Sequence, residues 1–330
     1  MKSITKFQLK YFIIFFLIIG CFSTPKVFFK EPVDTKTKKI SFQKKRVFSF
    51  NESGVYFSNK FEGARLNNVN QLNDSTYILS ILPENKPIND SPYYAFKIWS
   101  SSSKKVLLKF QYPKNFKHRY IPKIKSNGIW KTADSLNFKF DDNLSSLTIK
   151  INDNPKIISG QELHSSSIVY KWVDQLISGK ESYIKFKEIG KTKLNRPFKV
   201  LDIYKGVPKN KPVIVILTRQ HPPEVTGYFA FKVFLNTILK ENKISSIFLD
   251  KYRVLAFPLM NPDGVDLGHW RHNAGGVDTN RDWSFYHQPE IKTTVQYITK
   301  VLKKNNSKLL LGLDFHSTYY DVFYTNEERK

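Results

Sequence analysis

Apolar positions follow two rhythms along this chain. In residues 46–151 they form short apolar-aromatic runs, at 54–57, 76–82, 93–99, 105–112 and 145–151. Asn-Asp-Ser, Ser-Ser-Ser and Ser-Asn-Gly clusters break them up. Short strands separated by turn signals predict an antiparallel β-sandwich domain over residues 46–155. After about Ser159 the rhythm changes. Residues 164–178 have helical spacing, with serines able to cap the start. Residues 185–204 read as two strands around the turn Leu194-Asn195-Arg196-Pro197. Unbroken apolar stretches follow at 212–217, 252–259 and 308–315, with helical segments at 224–240 and 289–304 between them. Apolar strands alternating with helices predict an α/β domain over residues 160–330: a mixed, mostly parallel sheet flanked by helices. In such sheets chemistry collects beyond the carboxyl ends of the strands.

The N-terminus has a different pattern. Lys2, Lys6 and Lys10 lead into the apolar run YFIIFFLIIG. A basic start and an apolar run of about 10 residues predict a secretory signal, too short for an ordinary spanning helix. The run ends Ile18-Ile19-Gly20-Cys21, which resembles the lipobox of bacterial lipoproteins, where the cysteine is acylated. Cys21 is the chain's one cysteine. A disulfide within the chain and a cysteine metal cluster are both excluded, so any metal must be held by His, Asp or Glu. The expectation is a lipoprotein-type signal at 1–21 with lipid on Cys21, then a Lys-, Thr- and Pro-rich tether at 22–45. The protein would be exported and held at the membrane of the cell envelope by its lipid, or otherwise secreted. No other segment reaches the length of a membrane span.

Composition narrows the class of partner. Hydrophobic residues make up 41% and aromatics 15%, enough for packed cores. The formal net charge of +25 suggests an anionic partner. The lysines, however, are spread among Asn, Ile and Phe with no arginine-rich stripe, so they read as a solvated surface and no nucleic-acid partner is expected.

Three motifs at strand ends carry chemistry. The first is Arg219-Gln220-His221-Pro222-Pro223-Glu224, after the stretch ending at Leu217. Its prolines fix φ near the value of a first helical turn, so Glu224 faces back toward His221. The second is His316, at the end of the last apolar stretch. Two imidazoles and a carboxylate match the His₂Glu donor set of catalytic zinc, which leaves a fourth position for water. The third is the loop NPDGVDLGHWRHNAGGVDTNRDW, residues 261–283, containing Arg271 and the pair Asn280-Arg281. Arginine binds a carboxylate through two parallel hydrogen bonds, and a second arginine near a metal can stabilise an oxyanion. Asn-Pro-Asp-Gly is also a strong turn signal by itself. His118, His269, His272 and His287 read as packing or loop residues.

In this order the motifs resemble the M14 family of zinc carboxypeptidases, over roughly residues 160–330. The stretch YYAFKIW…HRYIPKIKSNGIW is similar to the β-sandwich preceding the catalytic domain in the cytosolic-type branch. The resemblance implies one zinc ion per chain on His221, Glu224 and His316, with Arg271 polarising the scissile carbonyl. It implies Asn280 and Arg281 as the clamp on a peptide substrate's free C-terminal carboxylate. The expected activity is metallocarboxypeptidase. Peptidoglycan-peptide carboxypeptidase or γ-glutamyl endopeptidase, and a non-catalytic metal-retaining binding lipoprotein, are its alternatives. The family places a glutamate general base several dozen residues after the third ligand. This chain ends at Lys330, and Glu327 and Glu328 stand in a lysine-bounded tail. The expectation is therefore a catalytic domain incomplete at its C-terminus, lacking that base and inactive as given.

Overall fold

The computed structural model describes residues 33–141 and 144–318. Cys21 with the rest of the expected signal, and Glu327 and Glu328, lie outside them.

Eleven strands come first: β1 (Val47–Phe50), β2 (Val55–Ser58), β3 (Asn68–Asn73), β4 (Thr76–Ser80), β5 (Ala95–Ser100), β6 (Lys104–Gln111), β7 (Lys123–Ser126), β8 (Ile129–Thr132), β9 (Phe138–Lys139), β10 (Ser146–Ile151) and β11 (Lys156–Ser159). They make a six-stranded sheet, β1-β2-β5-β11-β7-β8, and a five-stranded sheet, β3-β4-β6-β10-β9. Side chains alternate in and out along a strand. On β6, Val106, Leu108 and Phe110 are buried while Lys105 faces water. With Leu147 and Ile149 of β10 they meet Phe57, Phe96 and Ile98 of the other sheet in one core. The sandwich departs from an all-antiparallel pattern at β4 and β6, which pair in parallel. The intervening β5 lies in the opposite sheet. The chain therefore crosses over and returns in the same direction.

Residues 33–45, within the expected tether, form no helix or strand, yet they are not free. Thr35 is fully buried and bonds Asp282, and Gln288 Nε2 donates to its carbonyl at 2.7 Å. Gln43 accepts from the N–H of Leu66 at 3.0 Å. Polar side chains with buried partners anchor a segment whose composition suggests a linker.

The second part comprises α1 (Ser166–Ile177), β12 (Ile184–Lys191), β13 (Pro197–Ile203), β14 (Val213–Thr218), α2 (Val225–Ile238), α3 (Lys243–Lys251), β15 (Arg253–Phe257), α4 (Pro262–Leu267), α5 (Pro289–Asn305) and β16 (Leu309–Phe315). The sheet order is β12-β13-β15-β14-β16. β14 pairs in parallel with both β15 and β16, while the hairpin β12–β13 and its contact with β15 are antiparallel. Unbroken apolar sequence on β14 is explained by its two covered faces. Ile214 and Ile216 pack with α2 and α3 on one side; Val213, Val215 and Leu217 pack with α5 on the other. β16 is the outermost strand among the described residues, and Leu309, Leu310 and Leu311 are about half exposed.

Two helices add to those the spacing predicts. Asn242 starts α3 by accepting from the N–H of Ser245 at 2.9 Å. The Asn-Pro-Asp-Gly segment forms the first turn of α4. Asn261 caps the N–H of Gly264 at 2.9 Å, and Pro262 fills a position where its missing N–H is harmless. No helix among the described residues is long and apolar enough to cross a membrane.

Candidate metal centre

β14 delivers the chain to the site, and the turn after it is tightly held. Arg219 takes the left-handed conformation, φ +59°, unusual for a residue with a Cβ. Its buried guanidinium donates to the carbonyl of Pro222 at 2.7 Å, closing the turn that contains His221. The carbonyl of Gln220 accepts from Asn261 Nδ2 and Thr279 Oγ1, both at 3.1 Å. The turn is thus tied to the 261–283 loop, and Glu224 leads into α2.

His316 follows β16, the parallel neighbour of β14, so it arrives at the same sheet edge. His221, Glu224 and His316 each offer a ligand atom, and these atoms lie within 4.8 Å of one another. One Glu224 oxygen meets His221 Nδ1 at 2.9 Å, and the other meets His316 Nδ1 at 2.7 Å. The far sides of both rings face carboxylates: His221 Nε2 reaches Asp278 at 2.9 Å, and His316 Nε2 reaches Asp314 at 2.6 Å.

The electrostatics follow from this packing. Burial opposes ionisation of Glu224, but hydrogen bonds from both imidazoles outweigh it and hold the carboxyl down to about 2. Burial likewise disfavours the charged form of His316, yet Asp314 and Glu224 raise it to about 10. His221 is raised against burial by Asp278 and Glu224. Asp278 is held well below the usual carboxylate range by His221 and Arg271, again against burial. Two imidazoles and three carboxylates converge here, a donor set of the kind that holds a divalent cation. With Nε2–H given to an aspartate, each neutral imidazole presents an Nδ1 lone pair beside Glu224. The donor set therefore fits zinc.

The remaining predicted residues lie on the 261–283 loop. Arg271 Nε donates to the second oxygen of Asp278 at 2.7 Å. Asn280 sits at the start of a short 3-10 helix, Thr279–Ser284, with Nδ2 at 3.5 Å from His316 Nε2. Arg281 is exposed, its guanidinium touching the carbonyl of Asn280 at 3.3 Å. His269, His272 and His287 stay out of the three-residue cluster: the first two are buried against backbone and Asn85, and His287 bonds Thr35. His118 is buried among aromatic rings in the sandwich core, where burial lowers it to about 4.

Sequence reasoning passed over Asp278, Asp314 and Gln220. Asp314 carries a readable signal, since it lies two residues before His316 at the end of a strand and such residues share a face. Asp278 stands in the quoted DTNR segment, and only proximity to His221 gives it a role. Gln220 donates to Asp314 and to Asn280 and accepts from Trp283 Nε1 at 3.0 Å; nothing in its spacing marks it.

Known proteins resemble this chain in sequence and in fold. Residues 169–325 match the family model for zinc carboxypeptidase, Peptidase_M14. Cytosolic carboxypeptidase 3 of Mus musculus is 21% identical over 304 residues, covering 82% of this chain and 30% of that protein. Cytosolic carboxypeptidase 6 of Mus musculus is 26% identical over 174 residues, covering 48% of this chain and 32% of that protein. The chain spans under a third of the length of such curated relatives, 32% at most. A metallo-carboxypeptidase structure from Burkholderia cenocepacia superposes with a TM-score of 0.66 at 15% identity, covering 80% of this chain and 70% of that one. That likeness shows a shared fold.

Proposed function

We propose that residues 169–325, which match the model of the zinc carboxypeptidase family M14, form a domain of that kind holding Zn²⁺, and that the protein removes C-terminal residues from peptides. The observation that carries this reading is the Glu224 carboxylate shared between two Nδ1 atoms whose rings are braced from behind by Asp278 and Asp314. His221, Glu224 and His316 are the zinc ligands. Zinc bound there supplies Lewis acidity, which activates water and polarises a carbonyl.

The chain's own residues do the rest. Asp278 and Asp314 keep each imidazole in the tautomer that offers Nδ1. Arg271, steadied at Nε by Asp278, has terminal nitrogens without an acceptor among the described residues, suited to a carbonyl oxygen as negative charge grows on it. Arg281, exposed and without an ion pair among the described residues, receives the terminal carboxylate, and Asn280 adds an amide bond beside it. The carboxylates touching the cluster, Glu224, Asp278 and Asp314, are each committed to an imidazole. Lipid on Cys21 would hold the protein at a membrane of the cell envelope; labelled fatty acid entering the wild type and Cys21→Ser equally would refute that.

Metal analysis and peptide assays of the full-length protein test the activity. One zinc per chain is expected, lost in His316→Ala, with cleavage of peptides bearing a free C-terminus and none of their C-terminal amides. Full zinc in the variant overturns the ligand set. Equal cleavage of the amides overturns the clamp and favours an endopeptidase.

A further inference from the structure

Glu84 belongs to the sandwich, in the loop between β4 and β5, and is fully buried. Its Oε2 accepts the N–H of Trp270 at 2.8 Å, and its Oε1 accepts those of Arg271 at 3.0 Å and His272 at 2.7 Å. Three consecutive amides converging on one carboxylate form an anion cradle, with the carboxylate supplied by the other half of the molecule. Arg65 stands 3.9 Å away, itself anchored by Nε to the carbonyl of Leu82 at 2.8 Å.

The neighbouring residue extends the grip. Asn85 Nδ2 donates to the carbonyl of Gly276 at 3.0 Å, and its Oδ1 lies 2.6 Å from His272 Nδ1. The ring of Trp270 packs in the sandwich core, edge-on to Phe116 and Tyr112. Between Trp270 and His272, the residue whose backbone is fixed and whose side chain leaves toward the site is Arg271. Its Nε reaches Asp278, whose other oxygen holds His221. Arg65, Glu84, the Arg271 backbone, Asp278 and His221 form one continuous series of polar contacts.

We infer that Glu84 is a positioning residue: the sandwich uses its carboxylate to fix the backbone at Arg271, and so aims the Arg271 guanidinium at the substrate carbonyl. This rests on the carbonyl-polarising role given to Arg271 above. Three buried amides need an acceptor here, so the carboxylate also contributes to stability, and only a readout of rate separates positioning from that contribution. A displaced oxyanion donor, in contrast, affects rate directly, and misplacement by about 1 Å can lower it roughly 100-fold.

A double-mutant cycle in the full-length, zinc-loaded protein tests this. Glu84→Gln is expected to lower kcat roughly 10- to 100-fold with KM and zinc content unchanged. Arg271→Ala lowers kcat further. In the Arg271→Ala background, Glu84→Gln is expected to have no added effect, because it acts through the lost guanidinium. An effect that multiplies in full, or a normal kcat in Glu84→Gln beside a crippled Arg271→Ala, overturns the inference and leaves the role of Arg271 standing. A normal kcat in Arg271→Ala overturns that role itself. The same cycle, read as the dissociation constant of a phosphinic peptide analogue with tetrahedral oxygens, needs no turnover. Should Glu84→Gln fail to fold, Asn85→Ala loosens only the hold on His272 and Gly276 and enters the same cycle, where full multiplicativity again decides against the inference.

Discussion

Glu290 shows what burial does to one residue. It is fully buried at the start of α5, where Asn273 Nδ2 donates to one oxygen at 3.0 Å and the other has no partner among the described residues. Burial, and then Asp263 and Asp282, raise its carboxyl from 4.5 to about 7. The folded state therefore keeps a proton that the unfolded chain has lost between these values. Its contribution is fully present below about pH 4.5 and falls as pH rises through about 7. Glu290→Gln, which copies the protonated form, should flatten that dependence. It should stabilise the protein at pH 8 by on the order of 2–3 kcal/mol while changing little at pH 4.5. Melting temperature against pH, wild type beside variant, reads the difference. An unchanged profile would mean that Glu290 titrates as an ordinary carboxylate.

Among elements, the packing of α2 against the end of β16 matters most to the metal centre. Gly227 lies on the first turn of α2, and a Cβ there would stand 2.5 Å from the carbonyl oxygen of His316. By propensity alone Gly227→Ala would favour the helix. The close approach reverses the sign, because the atom in the way is backbone and must move with His316. We expect a loss of about 1–3 kcal/mol and a fall in zinc affinity, measured by thermal unfolding and by titration against a chelator. Retained affinity would show that β16 can shift without carrying its histidine away. The 3-10 helix bearing Asn280 and Arg281 is held more gently, by Asp282 accepting from the amides of His287 and Gln288 and from the hydroxyl of Thr35. A segment that composition marks as a tether thus braces the proposed clamp.

Over the whole molecule, the sandwich and the α/β part share structure as well as surface. Trp270 is contributed by the α/β loop and buried in the sandwich core. Trp270→Ala should cost roughly 3–5 kcal/mol, and the loss should appear in both parts. Hydrogen exchange of amides on β6 and β14 checks it: faster exchange on both is expected, and on β6 alone would mean that the parts unfold independently. The formal charge of +25 is a property of the same scale. In the site Glu224, Asp278 and Asp314 set three carboxylates against two imidazoles and Arg271, so net charge says little about what binds there.

The amino-acid sequence by itself determined the local facts. Short apolar-aromatic runs between turn clusters marked β2, β4, β5, β6 and β10, and unbroken apolar runs marked β14, β15 and β16, because burial dictates which positions are apolar. The pair His221 and Glu224 was legible, since proline-shaped spacing brings neighbours in sequence together. His316 was legible because its strand ends at the same sheet edge. Tertiary structure decided what depends on partners distant in sequence: the crossover that makes β4 and β6 parallel, the anchoring of Thr35, and the braces Asp278 and Gln220. Glu84 is the clearest case. Nothing around it in sequence marks it, because its partners are backbone amides nearly two hundred residues away. Backbone amides are present in every sequence, and only folding selects which of them converge.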